Sequence, residues 1–408
     1  MLPRFAIASL AAALASFGPA QTVHLVGSGG FPQIQNAINA ANPGDVVVVQ
    51  AGTYNAFTLN KDLTLTAAPA AIVDINVLPW GSNVSVFRPP GQAKVVGMRF
   101  RHPIIGPAQT RVLSGTVHFA DCLFESSPWS LPALAALVVQ NAQVALQRCD
   151  VLGGGAQSTT SGGTGAGGHG MTVSFGTVAA ADCTFRGGAI HWDFSGSGGH
   201  AIVASAADVH LANCLAVGGG NDPLISYHPT GNGMHIASTS RIWLADCQVA
   251  GGNGHTTAGG AALVNLGTTA VVEARSTFTG GPGSPVGPAV IGPLVTGPLL
   301  GLLGTTAPIT LGVPWTVGYR TTPATPVLVL ASDGLAVSVP PVVAEPAWLS
   351  AGSFVVAGAG VTDATGLLTF TFPVPATPSL LHAPCFVQGF AGGTLPLRTA
   401  PPVGGTVR

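Results

Sequence analysis

Through the middle of the chain one arrangement of apolar and polar positions keeps returning: VHFADCLF at 117, VALQRCDV at 144, VAAADCTF at 178, VHLANCLA at 209 and IWLADCQV at 242. Two flanking copies, VVGMRFRH at 95 and VVEARSTF at 271, share it without the cysteine. Five residues before the cysteine-equivalent position stand Val95, Val117, Val144, Val178, Val209, Ile242 and Val271, all aliphatic and β-branched. Apolar residues alternate up to the cysteine, slip by one residue there, and resume beyond it. A period of two marks a strand and a slip in phase marks a bend, so each copy predicts two short strands joined at a corner. A unit of 22–34 residues built this way cannot bury its inner face alone and must stack on its neighbours. The pattern therefore predicts an all-β parallel solenoid with coils about 4.8 Å apart and like positions aligned in columns.

Those columns account for most of the conspicuous residues. Cys122, Cys149, Cys183, Cys214 and Cys247 form one, read as free buried thiols acting as small hydrophobes. Disulfides between coils and a zinc site are the alternatives, but a disulfide has strict geometry and a metal needs ligands converging on a point. Cys385 has no evident partner. The residue before the cysteine position is Arg99, Asp121, Arg148, Asp182, Asn213, Asp246 or Arg275, which predicts a ladder of ion pairs and hydrogen bonds on the outer bend. Glu273 falls in an inward column otherwise formed by Gly97, Phe119, Leu146, Ala180, Leu211 and Leu244. Either the last coil is irregular or the carboxylate has a partner such as Arg275, since a buried unpaired charge is too costly.

The segment FPQIQNAINAANPGDVVVVQAGTYNAFTLNKDLTLTAAP, 31–69, puts Ile34, Ala37, Ile38 and Ala41 on one face of a short helix that stops at Pro43-Gly44-Asp45. Such a helix caps the open end of a solenoid. The same segment resembles the opening of right-handed parallel β-helix proteins of the pectin-lyase-like superfamily, and the resemblance runs over about 22–281. It implies a right-handed parallel β-helix whose active site, where there is one, lies in a groove between one sheet and the loops beside it. The superfamily houses lyases, hydrolases, epimerases and proteins without known chemistry, so the resemblance speaks to fold rather than activity.

The flanks complete a four-part organisation. Residues 1–20, with Arg4, an apolar run from Phe5 to Phe17 and the ending Gly18-Pro19-Ala20, read as a secretory signal peptide cut after Ala20. The β-helix spans 21–281. Residues 282–293 read as a Pro/Gly linker. Short β-rich runs such as TPVLVLAS and GLLTFTFPVP make 294–408 a small C-terminal β-sandwich. Part of it, DATGLLTFTFPVPATPSLLHAPCFVQGFAGG, resembles a C-terminal module of large secreted proteins of environmental bacteria. No Lys, Arg, Asp or Glu lies between Arg275 and Arg320, but prolines recur there every few residues, which excludes a spanning helix.

Composition narrows the chemistry. Only 7% of residues are charged, the net charge is −1, and hydrophobic residues make 47% of the chain, with 57 glycines and 33 prolines. There is no basic field for nucleic acid. Lyases acting on acidic sugars resemble poor models, because the only lysines, Lys61 and Lys94, fall outside the central coils, leaving Arg186 and Arg241 as basic candidates. What stands out instead is a set of insertions after Gly-Gly turns, at 153–170, 187–200, 218–233 and 251–260. In and beside them stand His169, His191, His200, His228, His235 and His255, with Trp192, Asp193, Asp222 and Tyr227. Asp193 and Asp222 suit acid and base or nucleophile across a glycosidic bond, and His191 and His228 suit proton transfer. Trp192 and Tyr227, with His169, His200, His235 and His255, would contact the sugar. His169 and His200, each fourteen residues before a cysteine, also read simply as a stacked structural pair. Metal binding through His191, Asp193, His228 and His255 matches no compact motif. The expected protein is a secreted or cell-surface monomer that binds and processes a polysaccharide, as a hydrolase rather than a lyase. It needs no cofactor, with calcium or another divalent metal left open. A non-enzymatic adhesive protein and an exported metal-binding β-helix are the competing readings.

Overall fold

The structure, a computed structural model, describes residues 21–76, 84–101, 109–126, 134–155, 166–190, 197–221, 229–255, 257–303, 308–350 and 353–408. Among these, the repeat forms a parallel β-helix of three sheets: sheet A with eleven strands, and sheets B and C with nine each. The chain runs A to B to C in every coil, and each strand pairs with its counterpart one coil on, so that Val117, Val144, Val178 and Val209 stand side by side. Inward residues fuse into one core from Val26 to Val271. In its N-terminal half the core is aromatic, with Phe87 edge-on to Phe119 at 5.1 Å and Phe100 stacked on Phe124 at 5.1 Å.

The corner from sheet A to sheet B is a single residue in the left-handed region: Asp121, Arg148, Asp182, Asn213, Asp246 and Arg275 all have φ between 50° and 56°. That conformation costs an L-residue about 1–2 kcal/mol, and Asp and Asn tolerate it best. The two arginines are fastened to the aspartate one coil earlier, Arg148 Nε donating to Asp121 at 2.6 Å and Arg275 gripping Asp246 with bonds of 2.7 and 2.8 Å. Asn213 donates to Asp182 at 2.6 Å. The ladder thus fixes register as expected, except in the first coil. There Val96 pairs with Ala120, which puts Gly97, with φ 74°, at the corner in place of Arg99. Met98 heads the cysteine column and Val95 faces the core. The copy at 95 bends two residues earlier than its alignment on Val95 implies, and glycine takes the corner conformation without strain.

All six cysteines are free and buried. In the column each thiol donates to the carbonyl two residues before it, Cys183 to Ala181 at 3.1 Å and Cys214 to Ala212 at 3.3 Å. Burial pushes Cys122, Cys183 and Cys247 up, and Cys385 up to about 12, so these thiols are protonated and unreactive. Glu273 does sit in the inward column, beside Leu244. Its partners are the Thr296 hydroxyl at 2.5 Å and the Ser276 amide at 3.2 Å, while Arg275 is committed to Asp246.

Helix α1 (Ile34–Ala40) buries Ile34, Ala37 and Ile38 against the first coil. Lys61 ties off its C-terminal end, donating to the carbonyls of Ile38, Asn39 and Ala41 at 2.9, 2.9 and 2.7 Å. At the other end the solenoid outruns its expected limit. Strand Val290–Ile291 pairs in parallel with Leu263–Asn265, and Leu294–Thr296 with Val271–Ala274, so the presumed linker and the first residues assigned to the C-terminal sandwich supply the last coil. Its prolines lie between strands, where no ladder donor is lost.

Beyond it the chain is antiparallel, in sheets of three, five and two strands. This region lies along the outer face of sheet A. Ala145 and Ala179 meet Leu335, Trp348 and Phe386, and Ala181, Ala212, Trp243, Ala245 and Ala274 meet a cluster that includes Trp315, Val387 and Val403. Gln147 accepts the Gly404 amide at 2.9 Å, and Arg408 reaches Asp121 at 2.7 Å. The central strands of sheet A are consequently buried on both faces. Among the described residues, no helix is long and apolar enough to cross a membrane.

Candidate functional site

Between sheets B and C the chain leaves the coil and comes back, and both limbs are glycine. Their amides and carbonyls join in a zigzag along the axis: Gly168 donates to Gly154 at 2.7 Å, Gly188 to Gly168 at 2.7 Å, Gly199 to Gly188 at 2.9 Å, Gly219 to Gly199 at 2.8 Å, and Gly231 to Gly219 at 2.8 Å. Outgoing and returning limbs alternate in this chain, so each insertion is closed at its base by a glycine neck. A Cβ on Gly188 would lie 1.9 Å from the Gly154 carbonyl oxygen, and one on Gly231 1.9 Å from that of Gly199. No other residue fits. The bases of neighbouring insertions also touch, Ile190 bridging Asn221 and the Asn221 amide donating to the Asn253 carbonyl at 2.9 Å.

The returning limbs carry the histidines. His169 Nδ1 accepts the His200 amide at 3.0 Å, His200 Nδ1 accepts the Asn232 amide at 2.9 Å, and Asn232 Oδ1 accepts the Ala261 amide at 3.0 Å. Each side chain thus satisfies the backbone of the next coil. The rings stack, His169 on His200 at 5.0 Å and His200 on His235 at 4.9 Å, nearly parallel in both cases. An accepting Nδ1 places the proton on Nε2 and the ring is neutral. Burial, reinforced by the neighbouring rings, lowers His169 and takes His200 down to about 3; burial lowers His235 as well. His169 and His200 are therefore structural rungs. His255 stands apart, exposed, with its amide on Asn253 Oδ1 at 2.9 Å.

His191, Trp192, Asp193, Asp222, Tyr227 and His228 lie outside the described residues, so the proposed carboxylate pair and its aromatic platform do too. What is described is the frame they spring from, with Ile190 directly before the first group and Asn221 directly before the second. Among the described residues no three His, Cys, Asp or Glu side chains are grouped to hold a metal. Of the two basic candidates, Arg241 is paired with Asp208 at 2.7 Å and lies over the Trp243 ring at 5.7 Å, while Arg186 is exposed at the end of its sheet B strand.

The outer face of sheet C, which the returning limbs enter, stays open: Thr172, Val203 and His235 are partly exposed along it. Sequence reasoning did not single out its N-terminal end, where Gln35, Thr58, Val86, Arg88, Arg111 and Leu113 line a concavity of about 350 Å³. The signal for it was the arginine at alternate positions of two successive sheet C strands, outside the copies that carry the cysteine.

No family model and no curated protein matches the chain. Among solved structures, it is similar to the enzymatically active domain of tailspike protein 2 of bacteriophage CBA120 at 10% identity and a TM-score of 0.26, over 94% of this chain and 76% of that one. It is also similar to the polygalacturonase of Erwinia carotovora ssp. carotovora at 11% identity and a TM-score of 0.22, over 69% of this chain and 92% of that one.

Proposed function

We propose that this is a secreted, monomeric protein that binds a polysaccharide along the outer face of sheet C and hydrolyses it with Asp193 and Asp222. The observation that supports the reading is the arrangement of the insertion bases. They stack side by side on glycine necks and feed sheet C, whose outer face is open, whereas the C-terminal sheets cover sheet A. A long open face edged by a row of loops suits a chain-like ligand. Because His169 and His200 spend Nδ1 on the backbone, acid and base roles fall to the two aspartates, assisted by His191 and His228, with Trp192 and Tyr227 stacking on sugar rings. Such hydrolysis needs no metal, so activity should survive a chelator.

The test is glycan-array binding together with reducing-sugar release by the mature protein and by an Asp193→Ala, Asp222→Ala variant. Binding retained with release abolished in the variant supports the proposal. Release unaffected by the double substitution refutes the catalytic assignment. Binding without release in the parent protein favours the adhesive reading, which the neutral His169 and His200 rings, their Nδ1 atoms spent on backbone amides, also suit.

A further inference from the structure

In a chain this poor in charge, an unpaired cation is conspicuous. Arg148, Arg241, Arg275 and Arg398 each hold a carboxylate within 3.0 Å, and Lys61 closes the end of α1. Arg88 and Arg111 have no carboxylate partner among the described residues, yet they line the same concavity. The Arg111 Nε is buried and has no hydrogen-bond partner among the described residues. Two permanent cations lining one concavity with no carboxylate beside them favour an anion between them.

The sheet fixes the two guanidinium groups on one face. Val86 pairs with Arg111, and Arg88 follows Val86 by two residues, so both arginines project outward as diagonal neighbours. Strands about 4.8 Å apart and a two-residue step of about 6.6 Å set their Cα atoms roughly 8 Å apart, a span that two arginine side chains bridge onto one ligand group. One wall is rigid: Gln35 on α1 accepts the Thr58 amide at 2.8 Å and donates to Asn39 at 2.9 Å, pinning the helix to the sheet. Val84, Val86 and Leu113 supply the apolar part of the lining.

We propose that Arg88 and Arg111 form a binding site for an oxyanion, a carboxylate, sulfate or phosphate group, at the N-terminal end of sheet C. The site lies on the face proposed to bind glycan, so the anion arrives either free or as a substituent on the saccharide. Neither hydrolysis nor recognition of neutral sugar by the central insertions depends on it.

Isothermal titration with inorganic sulfate, with a sulfated oligosaccharide and with its desulfated counterpart separates these cases. The protein is compared with an Arg88→Gln, Arg111→Gln variant whose melting temperature is checked first; both arginines lack ion pairs, so it should match the parent. Charge-assisted contacts of this kind are worth roughly ten- to hundred-fold in affinity. Sulfate alone binding to the parent and lost in the variant supports a site for a free anion. Tighter binding of the sulfated oligosaccharide, reduced at least about tenfold in the variant, supports an anion carried on glycan. Parent and variant binding every probe alike overturns the site and leaves the glycan reading intact. If no saccharide binds but sulfate does, the site stands and the glycan reading fails.

Discussion

His118 and His210 project from the outer face of sheet A into the contact with the C-terminal sheets. Both are 1% exposed, and neither ring nitrogen of either residue has a hydrogen-bond partner among the described residues. His118 meets the Phe386 ring edge-on at 4.9 Å. Burial takes both down to about 3, with Lys94 and Arg148 reinforcing the effect at His118 and Asp121 opposing it. A folded-state value below that of the unfolded chain means the unfolded chain binds the proton first, so stability is intact above about pH 6.5 and drains away as the pH falls toward 3. At about 1.4 kcal/mol per pH unit, each histidine removes about 2 kcal/mol by pH 5, or about 4 kcal/mol together, a large share of the 5–15 kcal/mol typical of a domain. Lys94, held down to about 7 by burial, acts mainly between that value and its ordinary 10.5, so it touches only the start of this range and does so in parent and variant alike. The assay is urea unfolding at steps from about pH 7.5 to 5, followed by tryptophan fluorescence, since Trp243 and Trp348 sit in the same contact. A His118→Leu, His210→Leu variant should lose about 4 kcal/mol less than the parent across that range. If the variant weakens with acid as steeply as the parent, the two rings are not buried neutral and the reasoning is refuted.

Other outcomes follow from the same packing. Gly231→Ala should cost roughly 3 kcal/mol or more, because its Cβ meets the Gly199 carbonyl, whereas Gly393→Ala, with nothing within 4 Å, should leave the melting temperature unchanged. Ellman's reagent should label none of the six buried thiols in the native protein and all of them in guanidinium, a result that stacked disulfides would not give. Asp121→Ala removes the carboxylate that holds both Arg148 and Arg408 and should destabilise the protein by about 1–3 kcal/mol, read as a lower urea midpoint. Asp121 is held below its usual value, these two arginines outweighing the effect of burial, so its contribution should persist down to mildly acid pH and fade below it.

The solenoid was legible because stacking forces like residues into register, and the repeated Val, Cys and Asp or Arg positions record that directly. Two details escaped for physical reasons. In the copy at 95 a glycine takes the corner, so aligning on valine shifts the bend by two residues. The last coil hides behind prolines that read as linker, although they occupy only the turns. The docking of the C-terminal sheets also left a mark that periodicity alone does not interpret. Ala145, Ala179, Ala181, Ala212 and Ala245 are outward positions that a solvated sheet would fill with polar residues. At the candidate site the stacking of His169 and His200 was legible, since both fall at one place in the repeat. It offered nothing for Arg88 and Arg111, which belong to coils without the cysteine signature.

The glycine necks also bear on how such a protein changes over time. Ring-closure entropy grows slowly, by about 0.6 kcal/mol for each doubling of a loop, and here the two ends of every insertion are already pinned by backbone hydrogen bonds. Insertions from 155–166 down to 253–258 therefore sit on identical bases although their lengths differ twofold. The rod behaves as a rack of sockets, in which a loop can be lengthened, shortened or exchanged as long as the contacts that join neighbouring bases are kept, and new ligand preferences can be sampled one coil at a time.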